Sequence, residues 1–331
     1  MRTLLTLLTL LIGSPGTESV DPVFTPSFAA SGTVIVVVGA AGTPEYAPQF
    51  VRWADLWKEA CGRGNAEFVG IGLDPSEDAS DRTRLQETLV KQARKSAAPL
   101  WLVLIGHGTF DGRVARFNLR GPDVSAGDVA DWLKPVDRPI AVINTASASG
   151  PFLKELSAPG RVVITATKSG FEHNFARFGQ YLAEAIAQPQ ADLDKDGQTS
   201  LLEAYLTASH AVGAFYTAAG RLATEHALLD DNGDALGTPA EWFRGIRPVQ
   251  RARDGASLDG YRAHQLHLVH SETEAAMPSD LRAKRDRLEL QIIELRDAKS
   301  RYSQTEYFAR LEPLVREIAR IFEQAESMAG R

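Results

Sequence analysis

Two short loops carry side chains suited to acyl-transfer chemistry. The apolar run 100–105 ends at Gly106-His107-Gly108, and the apolar run 140–143 leads into a small-residue loop that contains Ser147. An imidazole can act as general base near neutral pH, and a hydroxyl becomes a nucleophile when such a base takes its proton. If both runs are neighbouring parallel strands, both loops open at the same edge of the sheet. We therefore expect His107 and Ser147 to face each other across a cleft.

An acidic loop at residues 192–203 predicts a calcium site. Its sequence, DLDKDGQTSLLE, fits the twelve-residue loop of an EF-hand, with glycine at the sixth position for the sharp turn. Carboxylate and carbonyl oxygens are the ligands that Ca²⁺ prefers, and the last position supplies a bidentate carboxylate. The same last four residues also fit a capping box that opens a helix, and both roles are compatible. The predicted calcium ligands are Asp192, Asp194, Asp196, Gln198 (through its backbone carbonyl), Ser200 and Glu203.

A second acidic loop begins at Asp230 and is a weaker candidate for calcium. Counted from that residue, the ligand positions one, three, five and twelve are Asp230, Asn232, Asp234 and Glu241. The sixth residue is alanine instead of glycine, and a proline precedes the last ligand position. A solvated turn is the competing interpretation.

Three histidines at 264, 267 and 270 offer a third metal hypothesis. A transition-metal site would need their ring nitrogens to converge, with partners that orient each ring. An ordinary amphipathic segment explains the same spacing, and it is the interpretation that we favour.

The elements that position these loops alternate between strand and helix. Apolar runs predict strands at 33–38, 67–73, 100–105, 140–143 and 161–167, and helical spacing predicts helices at 47–61, 82–95, 127–133 and 175–186. Residues 110–122 look like a small hairpin inserted before the third helix. Nearly continuous apolar strands separated by helices indicate a parallel sheet that is covered on both faces. The predicted fold class is a three-layer α/β sandwich with a mostly parallel central sheet.

The order of these elements and loops resembles the cysteine peptidases of the caspase and legumain type. In that family His-Gly ends one strand and Ala-Cys-x-Ser-Gly ends the next; this chain has His107-Gly108 and Ala146-Ser147-Ala148-Ser149-Gly150. The resemblance covers roughly residues 33–220 and implies a caspase-like sandwich. It also implies that His107 is the catalytic histidine, that Ser147 occupies the nucleophile position, and that the Gly108 N–H helps to hold the oxyanion.

Serine in place of cysteine leaves the activity open. A thiol is partly ionised near neutral pH, whereas a hydroxyl depends on a base in direct hydrogen-bond contact. The cleft is therefore either a degenerate site that binds peptides without cleaving them, or a Ser147–His107 dyad that hydrolyses peptide or related acyl bonds. A third hypothesis is a calcium-stabilised interaction or scaffold module without a working cleft.

The N-terminal residues predict export. Arg2 precedes an apolar core at residues 4–12, and a Gly-Ser-Pro-Gly sequence follows, as in a signal peptide of residues 1–19. The mature protein is therefore expected in the periplasm or outside the cell. The core is too short to span a bilayer, and no other segment is long and apolar enough.

Composition narrows the possible partners. A net charge of −6 argues against a nucleic-acid partner, because binding to nucleic acids needs a clustered basic face. A peptide or protein ligand suits the cleft. The one cysteine, Cys61, predicts a buried structural thiol.

The C-terminal quarter of the sequence predicts a different organisation. The peptidase-like domain is predicted at residues 20–247, a polar linker at 248–278 and a helical hairpin at 279–331. Two apolar stripes, one on each predicted helix, are typical of helices that pack together. The hairpin can dock on the main domain or on a second copy of the chain.

Overall fold

The computed structural model describes residues 32–74, 80–93, 96, 98–186, 188–254 and 256–329. The predicted signal peptide lies outside these residues. The strands are β1 (Thr33–Val38), β2 (Glu67–Ile71), β3 (Leu100–Ile105), β4 (Gly108–Phe110), β5 (Ala115–Phe117), β6 (Val124–Ser125), β7 (Ile140–Asn144), β8 (Arg161–Thr165), β9 (Leu228–Asp230), β10 (Phe243–Arg244) and β11 (Arg247–Pro248). The helices are α1 (Ala47–Arg63), α2 (Asp81–Lys91), α3 (Ala126–Leu133), α4 (Gly150–Leu156), α5 (Phe178–Ala185), α6 (Leu201–Ala218), α7 (Tyr261–Gln265), α8 (Glu272–Ala276), α9 (Ser279–Asp297) and α10 (Gln304–Ala329).

The central sheet has six strands in the order β2-β1-β3-β7-β8-β9. The first five are parallel to one another, and β9 is antiparallel to β8 at the edge. β4, β5 and β6 form a separate antiparallel sheet at the predicted insertion. The predicted α/β class with a mostly parallel sheet is confirmed.

Successive side chains of each strand enter two different cores, which makes the protein a three-layer structure. On β1, Val34 and Val36 belong to the core that also contains residues of α1, α5 and α6, while Ile35 and Val37 belong to the core that contains residues of α2, α3 and α4. Because both faces of the sheet are covered, its central strands are apolar at almost every position. Cys61 is a free, buried thiol on the α1 side, as predicted, and burial raises its pKa to about 12.

Several element boundaries differ from the sequence predictions: α2 ends at Lys91 instead of 95 and β8 at Thr165 instead of 167, and two further differences have a visible cause. β2 ends at Ile71, two residues early, because Gly72 has a φ of +81°, which is incompatible with a strand. α5 begins at Phe178, not at residue 175. The carboxylate of Glu225 accepts hydrogen bonds from the N–H groups of Arg177 and Phe178, and so it caps the helix there.

The segment 248–278, predicted as a polar linker, packs on the α/β body. Ala263 and Leu268 are 0% and 1% exposed and belong to the core on the α1 side. His267 also makes a β-bridge with Ser200. These few apolar side chains have no periodic spacing, and for that reason the sequence pattern did not indicate burial.

The C-terminal residues form the predicted helical hairpin. α9 and α10 run antiparallel, since Leu281 near the start of α9 packs with Ile321 near the end of α10, and Lys284 pairs with Glu317. Within the described residues, no helix is both long and apolar enough to cross a membrane.

Candidate functional site

The two predicted loops meet at the carboxyl edge of the sheet. β3 and β7 are adjacent and parallel, with Leu104 opposite Asn144, so the residues that follow both strands emerge side by side. Ser147 Oγ lies 3.3 Å from both the Gly108 nitrogen and the Gly108 carbonyl oxygen. The structure therefore places the Ser147 hydroxyl against the backbone of Gly108, the residue that follows His107, and not against the His107 ring as expected.

His107 is held by a backbone carbonyl and an aromatic wall. Its Nε2 lies 3.1 Å from the carbonyl oxygen of Ala41. A carbonyl only accepts, so we infer that Nε2 carries the proton and that Nδ1 of the neutral ring carries the lone pair. The rings of Tyr46, Phe50 and Phe175 pack around the imidazole at centroid distances of 4.9, 5.3 and 6.1 Å. Burial lowers the pKa of His107, which keeps the ring uncharged at neutral pH.

The hydroxyl of Ser147 is satisfied by Gly108 instead of by His107. It accepts a hydrogen bond from the Gly108 N–H and donates one to the Gly108 carbonyl, and the residue is only 3% exposed. Among the described residues, no hydrogen bond joins Ser147 to His107. The Gly108 N–H, which would have to hold an oxyanion, is therefore occupied by the nucleophile itself. In this arrangement the hydroxyl is not activated by a base.

The backbone carbonyl of Glu172 contacts the Ser147 turn from outside, and the Glu172 side chain is held by His226. Ala148 has a φ of +54°, and its N–H donates to the carbonyl of Glu172 at 2.8 Å. The carboxylate of Glu172 accepts from the Lys168 N–H and contacts His226 Nδ1 at 2.5 Å. Sequence reasoning missed Glu172 and His226, since both lie far along the chain in segments without a motif.

A polar cavity of about 320 Å³ shares the aromatic wall of His107. Tyr46 and Phe175 form one side, and Arg177 and Arg221 contribute positive charge. The Arg177 guanidinium stacks on Phe215, with its Cζ 4.0 Å from the ring centroid, and within the described part of the chain no carboxylate oxygen lies within 4.0 Å of its nitrogens. A guanidinium held flat by aromatic rings is suited to binding a carboxylate.

The first acidic loop brings three of its predicted ligands together. Asp192, Asp194 and Asp196 each present one carboxylate oxygen, and these oxygens lie within 4.8 Å of one another. Asp192 also accepts hydrogen bonds from the N–H groups of Lys195 and Gly197, the fourth and sixth positions of the loop. Both of these positions have positive φ, 66° and 89°, which the sharp turn requires. This donor set is hard, anionic and clustered, and it fits Ca²⁺.

The remaining predicted ligands of this loop make hydrogen bonds within the loop and to its neighbouring segments. Glu203 is fully buried, and its carboxylate accepts from the N–H groups of Leu193 and Asp194 and from the N–H and hydroxyl of Ser200. Ser200 is the N-cap of α6, so the predicted capping box is present. The Gln198 side chain links Asp196 to the segment beyond α7. Glu203 is not part of the three-carboxylate group.

The second acidic loop repeats the backbone pattern of the first. Asp230 accepts from the N–H groups of Gly233 and Ala235, which are again the fourth and sixth positions and again have positive φ, 80° and 63°. The third position, Asn232, accepts from the N–H of the fifth, Asp234, as Asp194 does from Asp196. An alanine at the sixth position is therefore compatible with this turn.

Glu241, the predicted last ligand of the second loop, lies elsewhere. It is exposed in a short 3-10 helix at residues 240–242 and lines a small cavity beside Glu225 and His226. Pro239 is the N-cap of this helix. Three other carboxyl groups at or near the second loop are buried, and burial raises their pKa values. They belong to Asp230, Asp231 and Asp259, and the pKa of Asp259 is raised to about 8.

The three histidines do not form a metal site. Asp192, Asp194 and Asp196 are the only group of three potential metal-binding side chains that converges within the described residues. His264 contacts Asp194 at 3.0 Å, and burial lowers the pKa values of His267 and His270 to about 4. These rings connect the first acidic loop with the C-terminal helices.

Comparison with known proteins gives similarity to caspases at the level of overall structure. No protein-family profile and no curated protein sequence matches the chain. The initiator caspase Dronc from Drosophila has 13% identity and a TM-score of 0.40, with 69% of this chain and 94% of that chain covered. Caspase-1 from Spodoptera frugiperda has 10% identity and a TM-score of 0.40, with 67% and 94% covered. Since these scores are low, the proposals for this chain rest on its own geometry.

Proposed function

We propose that this chain is an exported, calcium-binding protein with a degenerate peptidase-type cleft that binds peptides without cleaving them. The observation that carries the proposal is the pairing of the Ser147 hydroxyl with Gly108, while Nε2 of His107 contacts Ala41. A serine nucleophile needs a general base in hydrogen-bond contact, and the oxyanion needs a free N–H donor. Neither requirement is met here.

The cavity beside His107 indicates the kind of peptide. Arg177 and Arg221 line it together with the amides of Gln49 and Asn174. Its volume of about 320 Å³ suits one side chain and the adjoining backbone. We propose that it takes an acidic side chain of an extended peptide.

Serine-directed labelling separates this proposal from an active hydrolase. A fluorophosphonate probe should not label the wild-type protein above the level of Ser147→Ala, with calcium present. Labelling of the wild type that disappears in Ser147→Ala would instead establish the Ser147–His107 dyad. Ser147→Cys supplies a self-ionising nucleophile, and a gain of cleavage on a peptide panel would show that the cleft still binds peptides productively.

Peptide binding tests the cleft directly. Fluorescence polarisation with peptides that differ only in Asp against Asn should show preference for Asp, and Arg177→Gln should weaken binding at least about 10-fold, corresponding to about 1.4 kcal/mol. Arg244→Gln is the matched control, because Arg244 is exposed on β10. An equally weak affinity for all peptides, unchanged by Arg177→Gln, would favour the interaction-module hypothesis.

Calcium binding is proposed for the first acidic loop. Its three convergent aspartates repel one another, and a divalent cation would relieve that repulsion. Calcium at about 100 times the Kd should stabilise the fold by about 2.7 kcal/mol. The Tm should therefore fall by about 5–10 °C on chelation, at about 2–4 °C per kcal/mol. Equal melting with and without chelator, in the wild type and in Asp194→Asn, would refute the proposal.

Export and self-association are proposals from the sequence. The signal-peptide pattern of residues 1–19 predicts removal of that segment, which mass spectrometry of the secreted or periplasmic protein can test. Extracellular calcium concentrations would suit a weak loop of this kind. Exposed apolar side chains on α10, including Phe308, Val315 and Phe322, are consistent with pairing of two hairpins.

A further inference from the structure

Residues 172–177 form one wall of the cleft and have no regular secondary structure. Phe175 packs on the His107 ring with a centroid distance of 6.1 Å, and Arg177 lines the polar cavity of about 320 Å³. Because this segment has no helix or sheet ladder of its own, its backbone groups depend on partners from other parts of the chain. Those partners therefore determine where the side chains of the wall lie.

Two consecutive residues, Glu225 and His226, hold the two ends of this segment. At one end, His226 Nδ1 lies 2.5 Å from Glu172 Oε1. At the other end, the Glu225 carboxylate accepts hydrogen bonds from the N–H groups of Arg177 and Phe178 at 2.8 and 2.9 Å. The cleft wall is thus fixed by side chains that lie about 50 residues later in the sequence.

The Glu225 carboxylate is satisfied without the guanidinium of Arg177. Glu225 is 2% exposed, and its third donor is the hydroxyl of Tyr216 at 3.2 Å. The Arg177 guanidinium lies instead on Phe215, with its Cζ 4.0 Å from the ring centroid, at the cavity. The carboxylate therefore binds the backbone of Arg177 and leaves the positive charge of its side chain to the cavity.

This contact also fixes the start of α5. Arg177 is the N-cap of α5, and its own side chain makes no capping hydrogen bond. The first N–H groups of a helix have no partner within the helix, and a carboxylate near this end is favourable. Without Glu225 the first turn would lose this cap, and the Cα atom from which the guanidinium extends would no longer be fixed relative to Phe215.

We infer that Glu225 is a positioning residue of the peptide site: it holds the backbone of Arg177 so that the guanidinium lies on Phe215 and faces the cavity. The binding of an acidic side chain rests on the proposed function, whereas the positioning rests on the contacts of Glu225 alone. What matters in this role is the reach and the acceptor oxygen of the side chain, more than its charge.

Three substitutions of Glu225 separate reach from charge. Glu225→Gln keeps the reach, since its one oxygen can accept from both N–H groups and its NH₂ group can donate to Tyr216. Glu225→Asp keeps the charge but is shorter by one methylene, and Glu225→Ala loses both. Ser125→Ala is the matched control, because Ser125 is the side-chain N-cap of another helix, α3.

Fluorescence polarisation with the Asp and Asn peptides gives the first measurement. In Glu225→Ala and Glu225→Asp the preference for Asp should fall at least about fivefold, which corresponds to about 1 kcal/mol. Glu225→Gln and Ser125→Ala should keep the preference of the wild type. Circular dichroism reports whether each variant is folded, and Glu225→Asp decides the question if Glu225→Ala does not fold.

NMR gives a second measurement that needs no peptide. Side-chain protons of Arg177 that lie over the Phe215 ring should be shifted upfield by the ring current, and Phe215→Leu identifies this shift. The shift should persist in Glu225→Gln and Ser125→Ala and disappear in Glu225→Ala and Glu225→Asp. A wild type that shows the shift but no preference for Asp would refute the proposed peptide specificity and leave the positioning intact.

Several outcomes would overturn the inference. Folded Glu225→Ala or Glu225→Asp that keeps the ring-current shift or the preference for Asp would do so, as would a wild type without the shift. An equal loss in Ser125→Ala or in Glu225→Gln would show that general stability or charge is responsible, and it would also overturn the positioning role.

Discussion

Glu203→Gln tests the structural part played by the buried carboxylate in the first acidic loop. The carboxylate is 0% exposed and accepts four hydrogen bonds, from the N–H groups of Leu193, Asp194 and Ser200 and from the Ser200 hydroxyl. A glutamine has almost the same shape, but it offers one acceptor oxygen where the glutamate offers two. Two of the four donors therefore lose their acceptor and face an amide NH₂ group.

The size of the effect follows from the number of lost bonds. Hydrogen bonds to charged groups contribute about 1.5–3 kcal/mol each, so two lost bonds predict a decrease of about 3–6 kcal/mol in the free energy of unfolding. The lower figure corresponds to a Tm lower by about 6–12 °C. Because Glu203 lies at the start of α6, the loss of a negative charge there acts in the same direction.

The measurement is thermal and urea unfolding in EGTA, so that cation binding does not contribute. Glu294→Gln is the matched control, since Glu294 is exposed on α9, and it should change stability by less than about 0.5 kcal/mol. A decrease below about 1 kcal/mol for Glu203→Gln, or one equal to that of the control, would refute the hydrogen-bond assignment.

Two further predictions concern the cleft. In an NMR titration, the pKa of His107 should lie below 6.5, because burial disfavours the charged imidazolium. Below pH 6.5 the unfolded chain therefore binds more protons than the folded chain. The free energy of unfolding should fall as the pH decreases through the folded-state pKa. His107→Gln should lack this decrease, and a measured pKa of 6.5 or higher would contradict the assignment. Gly108→Ala should destabilise by about 2–3 kcal/mol in urea unfolding, since its Cβ would lie 2.3 Å from the Ser147 carbonyl oxygen. Gly62→Ala, with nothing within 4 Å in α1, should instead be neutral or stabilising, and equal effects of the two changes would count against the close approach.

The strands could be predicted because a strand that is buried on both faces consists almost entirely of apolar residues. β1 and β3 have no polar residue apart from Thr33, and a run of this kind has few alternatives to a central parallel strand. The helix ends were less predictable. The start of α5 depends on Glu225, which lies 47 residues beyond Phe178, and local patterns contain no information about such a cap.

For the candidate site, too, one part could be predicted from the sequence and another could not. Its location followed from the order of strands, because parallel strands place their following loops at one edge. Its hydrogen bonds did not, since no sequence pattern distinguishes a serine paired with His107 from one paired with the backbone of Gly108. The support from Glu172 and His226 was likewise invisible, because it depends on contacts between distant segments.

By itself, the sequence determined the layers of the fold, the sheet edge from which the loops of His107 and Ser147 emerge, and the turn geometry of the first acidic loop. These features depend on hydrophobic periodicity and on short-range spacing, both of which are local. Only the tertiary structure decided the partner of the Ser147 hydroxyl and the contact of the Asp259 carboxylate with the second acidic loop. Those choices depend on which distant groups are brought within about 3 Å, the distance over which hydrogen bonds act.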